Sequence, residues 1–360
     1  MNTNKYTLDF WRNYPWEEVP IQPSTFAEFC LPYMNGGKVL DVCCGNGRDS
    51  EYFRNNNLQV SSFDFGTLNL EKEISNFSLS GLFNYVYCRF VLHAIPENLE
   101  DYVLINSNHI LQNEGLFFIE VRSDKGLRPD KLHYRRLINK EILKSKLTNL
   151  NFEILFEQEA DNLSIYKDEN PLLIRIIAKK IGNIKVNSEI SFNDWENVKL
   201  SINPKLSAHL LLKTKQILDA HKIPFLLVFG TLLGAYRENG FIKHDTDVDI
   251  ALFFKHIKKV KALIDEGYFA VYGLELIRNN FPTLYSLRYK EDYIDMYFFK
   301  QGNTKYICAM YKIPISQISN PPRVINFLGE SFNTVNDIEL YLTRRYKNWW
   351  EPVENKHAKK

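Results

Sequence analysis

Residues 228–252, in the second half of the chain, have the sequence VFGTLLGAYRENGFIKHDTDVDIAL. Asp245, Asp247 and Asp249 are two residues apart, so in a strand all three side chains point to one face. Carboxylates crowded on one face repel one another unless a hard divalent cation lies between them, and Mg²⁺ prefers such oxygen ligands. The pattern therefore predicts magnesium-dependent chemistry on a phosphate group.

The sequence on either side of the three aspartates favours a metal site over a solvated acidic loop. Upstream, the apolar run Phe225–Phe229 ends at Gly230 and Thr231, which predicts a strand-to-helix turn where backbone amides approach a phosphate. Downstream, Asp295 lies within the otherwise apolar segment Tyr293–Phe299. A lone aspartate in a buried strand is costly unless it is paired or ligates a metal. We expect these elements to meet in one site.

The same stretch resembles the LicD/fukutin-related branch of the nucleotidyltransferase superfamily, in its Gly-Thr-Leu-Leu-Gly, Gly-Phe-Ile and Asp-x-Asp-x-Asp motifs. The chain end, Phe327–Pro352, is similar to the closing pattern of that family, whereas His244 stands where the family usually has Trp. The resemblance covers about residues 204–352. It implies transfer of a phosphate-linked group from a cytidine-diphosphate (CDP) donor to a glycan hydroxyl.

Roles in this half follow from that resemblance and from the chemistry of each side chain. The residues expected to hold Mg²⁺ are Asp247, Asp249 and Asp295. Asp245 is expected to complete the metal shell or to take the proton of the acceptor hydroxyl, so all four are candidate catalytic residues. The expected contacts to the donor phosphate come from Gly230, Thr231 and the guanidinium fork of Arg237.

The first half contains a second nucleotide-type pattern. Lys38–Val42 is an apolar strand, and the small residues that follow, CCGNG, let the backbone approach a ligand before a helix begins. The next strand-like segment, Leu58–Asp64, ends in an acid that can accept hydrogen bonds from ribose hydroxyls. The pattern predicts a Rossmann-like sheet that binds a nucleoside at the carboxyl ends of its strands.

This half resembles the class I S-adenosylmethionine-dependent methyltransferases over about residues 6–180. The matching motifs are VLDVCCGNGRDS, the strand that ends at Asp64, RFVLHAIPENLE and GLFFIEVRS. The resemblance implies that S-adenosylmethionine is bound by Asp41, Cys43, Gly45, Asn46, Gly47 and Asp64. His93, and as an alternative Glu120, is the expected general base because each is predicted at a strand end that faces the same crevice.

Composition is that of an ordinary intracellular protein. A chain of 360 residues predicts about two domains, and a net charge of +2 does not favour nucleic acid as a partner. The five cysteines form no paired metal spacing, and no apolar segment has the length of a bilayer span. We expect a cytoplasmic protein. Its Lys/Arg-rich end (344–360) is expected at the surface as a solvated face, with peripheral contact at the inner face of a membrane as the alternative.

The predicted fold class is α/β: an N-terminal Rossmann-like methyltransferase sheet followed by a C-terminal α+β nucleotidyltransferase-fold domain. The predicted boundaries are 1–182 for the first domain, 183–203 for a linker and 204–360 for the second domain. The predicted function is bifunctional modification of a cell-surface glycan, free or lipid-linked, by Mg²⁺-dependent transfer from a CDP-linked donor and by methylation. Two alternatives stay open: a phosphotransferase with an inactive methyltransferase-like scaffold, and a non-catalytic subunit whose clefts only bind.

Overall fold

The computed structural model describes residues 10, 13–15, 19–64, 82–127, 135–165, 169–196, 201–318 and 321–351. The chain forms two compact units, Met1–Lys185 and Val186–Lys360. Residues 65–81 lie outside the described residues, as do residues 352–360 of the basic end. Among the helices that the structure describes, none combines the length and apolar character needed to cross a membrane.

The first unit is built on a six-stranded sheet with the order β2-β1-β3-β4-β6-β5. Its strands are β1 (Lys38–Val42), β2 (Gln59–Phe63), β3 (Phe83–Arg89), β4 (Leu111–Arg122), β5 (Phe152–Ala160) and β6 (Leu173–Lys180). Its helices are α1 (Thr25–Cys30), α2 (Arg48–Asn55), α3 (Glu97–Ile110) and α4 (Lys140–Asn149).

Strands β1 to β4 are mutually parallel, so their carboxyl ends meet at one edge of the sheet. Strand β6 runs antiparallel to both β4 and β5 and lies between them. Residues Leu173–Ala178 of β6 are all buried, as expected of a strand that has a neighbour on either side. The last strand of this unit in sequence is therefore internal to the sheet, not at its edge.

The described residues of the second unit form five helices: α5 (Phe192–Glu196), α6 (Pro204–Ala220), α7 (Phe229–Arg237), α8 (Ile257–Glu266) and α9 (Ile338–Tyr346). Its strands are β7 (Phe225–Leu227), β8 (Val248–Phe253), β9 (Glu275–Asn280), β10 (Leu284–Tyr289), β11 (Asp292–Gln301), β12 (Lys305–Cys308), β13 (Tyr311–Pro314), β14 (Arg323–Phe327) and β15 (Glu330–Thr334). Seven of them form one mixed sheet, and β14 and β15 form a separate hairpin.

The order of this mixed sheet places the acidic strands side by side. Strand β11 pairs antiparallel with β10 and parallel with β8, while β7 pairs antiparallel with β8. In the β8–β11 ladder Asp249 lies directly opposite Asp295. The α/β fold class predicted from the sequence is confirmed: a mostly parallel sheet precedes a mixed sheet flanked by helices.

Three local expectations need correction. Strand β8 begins at Val248, so Asp245 and Asp247 precede it and do not continue an alternating strand face. Helix α7 begins at Phe229, directly after its N-cap Val228, so Gly230 and Thr231 lie in the first helical turn. The linker expected at 183–203 joins the second unit from Val186 onward, because the carbonyl of Val186 accepts a 2.7 Å hydrogen bond from the Leu276 amide.

Candidate functional site

Three carboxylates converge at the β8–β11 edge of the second unit. Ligand oxygens of Asp247, Asp249 and Asp295 all lie within 4.8 Å of one another. The parallel register of β8 and β11 produces this approach, since it places Asp249 opposite Asp295 while Asp247 precedes β8 by one residue. Carboxylate oxygens at such separations match the ligand type and crowding of a divalent-cation site.

Asp249 has the most demanding environment of the three. It is buried, and the Asp247, Asp295 and Asp245 carboxylates surround it, so desolvation and like-charge repulsion raise its pKa well above the usual value. The start of α7 fixes its position: its backbone N–H donates to Thr231 Oγ1 at 2.8 Å, and the Gly230 backbone hydrogen-bonds its carboxylate. The chain thus holds a carboxylate where only a cation, or a proton, relieves the repulsion.

Asp295 belongs to a row of residues that crosses the sheet. Ser286 lies opposite Asp295 on one side and opposite Arg278 on the other. Arg278 and the Ser286 hydroxyl each donate to the Asp295 carboxylate at 2.5 Å, and the Tyr297 hydroxyl donates at 3.2 Å. Burial raises the pKa of Asp295, and Arg278 opposes that rise. Arg278 balances one of the carboxylates, so the group keeps negative charge that a divalent cation can balance.

Asp245 lies beside this group but is not among the three carboxylates that share ligand distances. Its carboxylate packs against Gly230, at a place where any Cβ on that residue would overlap with it. Its backbone carbonyl accepts a 2.7 Å hydrogen bond from the Ile202 amide, which fixes the turn that leads into β8. The structure therefore places Asp245 next to the metal candidates, at the amino-terminal end of α7.

We expect Gly230→Ala to reduce both stability and activity of the second unit. The added methyl group meets the Asp245 carboxylate, and overpacking of this kind costs about 1–3 kcal/mol. Gly240→Ala is the matched control, because its Cβ would make only an ordinary contact with the Glu238 carbonyl. Denaturant unfolding of both variants measures the effect, and equal stabilities would contradict the packing argument.

The residues predicted to contact the donor phosphate mostly form hydrogen bonds to other parts of the protein. The Thr231 hydroxyl is buried and accepts from the Asp249 amide, and the Gly230 backbone hydrogen-bonds Asp249. Arg237 donates to the Trp349 carbonyl at 2.8 Å and forms an ion pair with Glu238. The structure thus gives Arg237 the role of anchoring the C-terminal segment and does not bring it to the carboxylate group.

Sequence patterns missed two arginines near the carboxylates. Arg278 bonds Asp295, and Arg345 lies over the rings of Phe229 and Tyr311, 4.0 and 4.6 Å from their centroids. Phe229 directly precedes Gly230, whose backbone hydrogen-bonds the Asp249 carboxylate, so Arg345 of α9 lies close to the acids. Burial, with Asp249 and Asp245 nearby, raises the pKa of Tyr346 to about 12. Arg278 has no motif around it, and Arg345 lies in the basic cluster expected at the surface.

The first unit contains a cavity of about 270 Å³ at the carboxyl edge of β1 to β4. The predicted cofactor residues on its lining are Asp41, Cys43, Gly45, Asn46 and Asp64. Gly47 is not on the lining; with φ 77° it is the N-cap that begins α2. The cavity therefore collects five of the six residues expected to bind the cofactor.

The loop after β1 has the backbone that its small residues predict. Cys43 and Gly45 have φ of 59° and 57°, in the left-handed region that favours glycine. Cys43 thus stands in a glycine-like conformation, which agrees with its place in a glycine motif. The Gly45 amide donates to the Asp64 carboxylate at 3.3 Å, so the loop is tied to the end of β2.

Asp41 is expected to make the stability of the metal- and cofactor-free protein depend on pH. The side chain is buried at the end of β1 and accepts a 2.6 Å hydrogen bond from Ser50, and burial raises its pKa to about 7. An acid with a raised pKa binds more protons in the folded than in the unfolded state. The stability that protonated Asp41 contributes is therefore fully present below about pH 4 and is lost as the pH rises to about 7.

Asp41→Asn should remove this dependence and stabilise the protein at pH 8 by up to roughly 4 kcal/mol. Urea unfolding of both forms between pH 5 and 8 measures it, with the difference between the two curves as the readout. Parallel curves for the two proteins would show that Asp41 does not titrate in this range.

The two residues expected to act as general base are not on the lining of this cavity. His93 is buried in a short 3-10 turn, its Nδ1 accepts from the Arg122 amide at 3.3 Å, and it does not line the cavity. Glu120 is fully buried and paired with Arg89 at 2.9 Å and Arg175 at 2.7 Å. Both residues have partners within the sheet edge, and the catalytic role of His93 stays a prediction.

Comparison with known proteins agrees with the two units. Residues 222–323 match the family model described as LicD/FKTN/FKRP, nucleotidyltransferase domain, and residues 17–156 match one described as methyltransferase domain. A search of curated proteins gives no match.

Among solved structures, the chain is similar to 1,6-didemethyltoxoflavin-N1-methyltransferase of Burkholderia thailandensis, with 16% identity, 51% of this chain and 92% of that chain covered, and a TM-score of 0.39. It is also similar to a SAM-dependent methyltransferase of Archaeoglobus fulgidus, with 15% identity, coverage of 43% and 92%, and a TM-score of 0.35. TehB of Haemophilus influenzae is a third, with 18% identity, coverage of 48% and 67%, and a TM-score of 0.36.

The two matched domains together make the chain a two-domain transferase. The chain joins a methyltransferase domain to a nucleotidyltransferase domain of the LicD family, as the motifs predicted.

Proposed function

We propose that the C-terminal unit transfers a phosphate-linked group from a CDP-linked donor to a glycan hydroxyl, and that the N-terminal unit methylates an acceptor of the same pathway. The observation that carries the first half is the approach of Asp247, Asp249 and Asp295 within 4.8 Å at a buried strand edge. The observation that carries the second is a cavity lined by Asp41, Gly45 and other motif residues. The proposed location is the cytoplasmic face of the membrane that carries the glycan.

The residues of the C-terminal unit divide the work of phosphoryl transfer. Asp247, Asp249 and Asp295 would hold Mg²⁺, which when bound neutralises charge on the donor pyrophosphate. Arg278 and Ser286 keep the Asp295 carboxylate in one orientation. The acceptor oxygen forms a bond to the transferred phosphorus as the bond to the leaving phosphate breaks. Cytidine monophosphate leaves, and the acceptor proton passes to a carboxylate, for which we propose Asp245.

Donor specificity tests this half directly. The full-length protein with Mg²⁺ is incubated with a panel of CDP-linked compounds and a glycan acceptor, and released cytidine monophosphate is followed by mass spectrometry. We expect release with CDP-linked donors, and none when Mg²⁺ is removed with EDTA. Release that is independent of metal would overturn the proposed role of the carboxylates.

In the N-terminal unit, bound S-adenosylmethionine would supply a methyl group activated by its sulfonium. Asp64 accepts hydrogen bonds from ribose hydroxyls, and the Cys43–Gly45 backbone lets the cofactor approach the β1 end. The acceptor atom bonds to the methyl carbon as its bond to sulfur breaks, which leaves S-adenosylhomocysteine, and a hydroxyl acceptor also releases its proton. Calorimetry with S-adenosylhomocysteine tests cofactor binding, and absence of binding at millimolar cofactor would make the scaffold alternative the better one.

The non-catalytic alternative predicts binding without turnover. Measuring product formation and donor binding on the same preparation distinguishes it from both enzymatic alternatives. Bound donor with no released cytidine monophosphate, for every acceptor tested, would favour a binding subunit. The carboxylate group and the cofactor cavity support the enzymatic proposal, since buried carboxylates with strongly raised pKa values are typical of catalytic sites.

A further inference from the structure

Three aromatic rings form a wall beside the carboxylate group of the C-terminal unit. The rings of Phe229, Tyr297 and Tyr311 contact one another in pairs, with centroids 4.7 to 5.6 Å apart. The Tyr297 hydroxyl donates to Asp295 at 3.2 Å, and Phe229 is the first residue of α7, the helix whose start fixes Asp249. This aromatic wall therefore adjoins the candidate metal site at two points.

Helix α9 places Arg345 on the aromatic wall. The guanidinium carbon of Arg345 lies 4.0 Å from the ring centroid of Phe229 and 4.6 Å from that of Tyr311. One helical turn earlier, on the same face of α9, the Tyr341 hydroxyl accepts a 3.4 Å hydrogen bond from the Phe229 amide. These contacts fix α9 against the start of α7. Arg345 is nonetheless an exposed residue, so it is open to a ligand that arrives from solvent.

Arg345 differs from the other two arginines near this site in its partners. Arg278 forms an ion pair with Asp295, and Arg237 forms one with Glu238. Arg345 forms no ion pair with any residue that the structure describes; its guanidinium contacts aromatic side chains, namely those of Phe229, Tyr311 and Tyr346. Ring faces and phenol hydroxyls are neutral, so they orient a guanidinium without cancelling its charge. The positive charge of Arg345 is therefore available to an anion.

A cation at this place suits the phosphates of the donor. The carboxylates beside the aromatic wall repel an anion, so a pyrophosphate that binds near them needs positive charge from the protein as well as from a metal ion. A guanidinium supplies that charge together with several N–H donors in a fork that matches phosphate oxygens. Arg237 was expected to do this, but the Trp349 carbonyl and Glu238 engage it.

We propose that Arg345 binds a phosphate of the CDP-linked donor beside the carboxylate group, in the role that the sequence assigned to Arg237. This inference rests on the proposed function of the C-terminal unit and adds a donor-binding residue to that same site. The aromatic wall holds the guanidinium in place, and α9 brings it to the start of α7 from a segment distant in sequence. The guanidinium neutralises part of the negative charge that the donor carries.

Calorimetric titration of the full-length protein with CDP in the presence of Mg²⁺ tests the proposal. Only binding that EDTA abolishes is compared, which confines the measurement to a metal-dependent site. We expect CDP to bind about 10- to 100-fold more weakly to Arg345→Gln than to the wild type, because charge-assisted hydrogen bonds to phosphate are lost. Arg345→Lys, which keeps the charge but loses the fork, should fall between. Arg344→Gln, which changes the neighbouring exposed arginine of α9, is the charge-matched control and should bind as the wild type does.

Two further measurements separate a phosphate contact from other roles of Arg345. Cytidine, which has no phosphate, is titrated at millimolar concentration, and we expect it to bind Arg345→Gln and the wild type equally. A loss for cytidine as large as that for CDP would place Arg345 at the base and overturn the proposal. Binding of Mg²⁺ alone should be the same in all variants; if Arg345→Gln loses it, Arg345 supports the carboxylate group and does not bind the donor.

The remaining outcomes distinguish this inference from the proposed function. Equal CDP affinity in the wild type and Arg345→Gln contradicts the role of Arg345 and leaves the proposed function standing. Equal losses in Arg344→Gln and Arg345→Gln would show an effect of surface charge, which also contradicts it. A wild-type protein that does not bind CDP with Mg²⁺ contradicts the proposed function itself. Thermal unfolding of each variant shows whether it is folded, and Arg345→Lys carries the test if Arg345→Gln is not.

Discussion

Asp249→Asn is expected to reduce release of cytidine monophosphate on the order of a thousandfold, because a bound metal contributes several kcal/mol to such reactions. Asparagine keeps the shape of the side chain but offers one neutral oxygen in place of a carboxylate. Isothermal titration with Mg²⁺ should show loss of the metal site in the same variant. Asp265→Asn, which removes an exposed partner of Lys261, is the control and should retain full activity.

The same variant should be more stable than the wild type when metal is absent. Burial and repulsion raise the pKa of Asp249, so its ionised form destabilises the folded state increasingly as the pH rises above about 4. Removing the charge relieves this at neutral pH. Thermal unfolding in EDTA should therefore show a higher midpoint for Asp249→Asn, and Mg²⁺ should raise the midpoint of the wild type alone. If Asp249→Asn is less stable than the wild type and is still activated by Mg²⁺, the assignment of Asp249 as a metal ligand is wrong.

Asp64→Asn is expected to weaken binding of S-adenosylhomocysteine by about 10- to 100-fold, since a hydrogen bond to a charged group contributes roughly 1.5–3 kcal/mol. Asp64 lies at the end of β2 on the cavity lining, where its carboxylate also accepts from the Gly45 amide. Calorimetry measures the affinity. Asp161→Asn, an exposed aspartate outside the cavity, is the matched control. Unchanged affinity in Asp64→Asn would show that the ribose lies elsewhere.

The parts of each site that depend on short-range pattern were predictable from sequence. Asp295 was singled out because an acid in an apolar strand needs a partner, and the structure places it opposite Asp249. The loop after β1 was recognised because small residues between a strand and a helix permit unusual backbone angles, and Cys43 and Gly45 have positive φ. These features follow from a few neighbouring residues, so no tertiary information is needed to see them.

The features that the sequence could not supply are side-chain directions and contacts between distant segments. His93 lies in a short 3-10 turn after β3, and its buried ring accepts from the Arg122 amide. Arg237 has the position of a family motif, but the Trp349 carbonyl engages it. Arg278 reaches Asp295 only because β9, β10 and β11 align in register. The spacing of residues in the sequence does not show which partner a long side chain contacts.

The alignment of Asp249 with Asp295 has a further meaning for folding. The two carboxylates come from strands that are distant in sequence, and Asp247 adds a third ligand from the chain that leads into β8. An ion that binds all three can do so only when the sheet is assembled, so it has little affinity for the unfolded chain. Stability of this unit should then rise with the logarithm of free Mg²⁺ concentration above the dissociation constant. A cation bound there would link β8 to β11 and add to the stability of the folded unit.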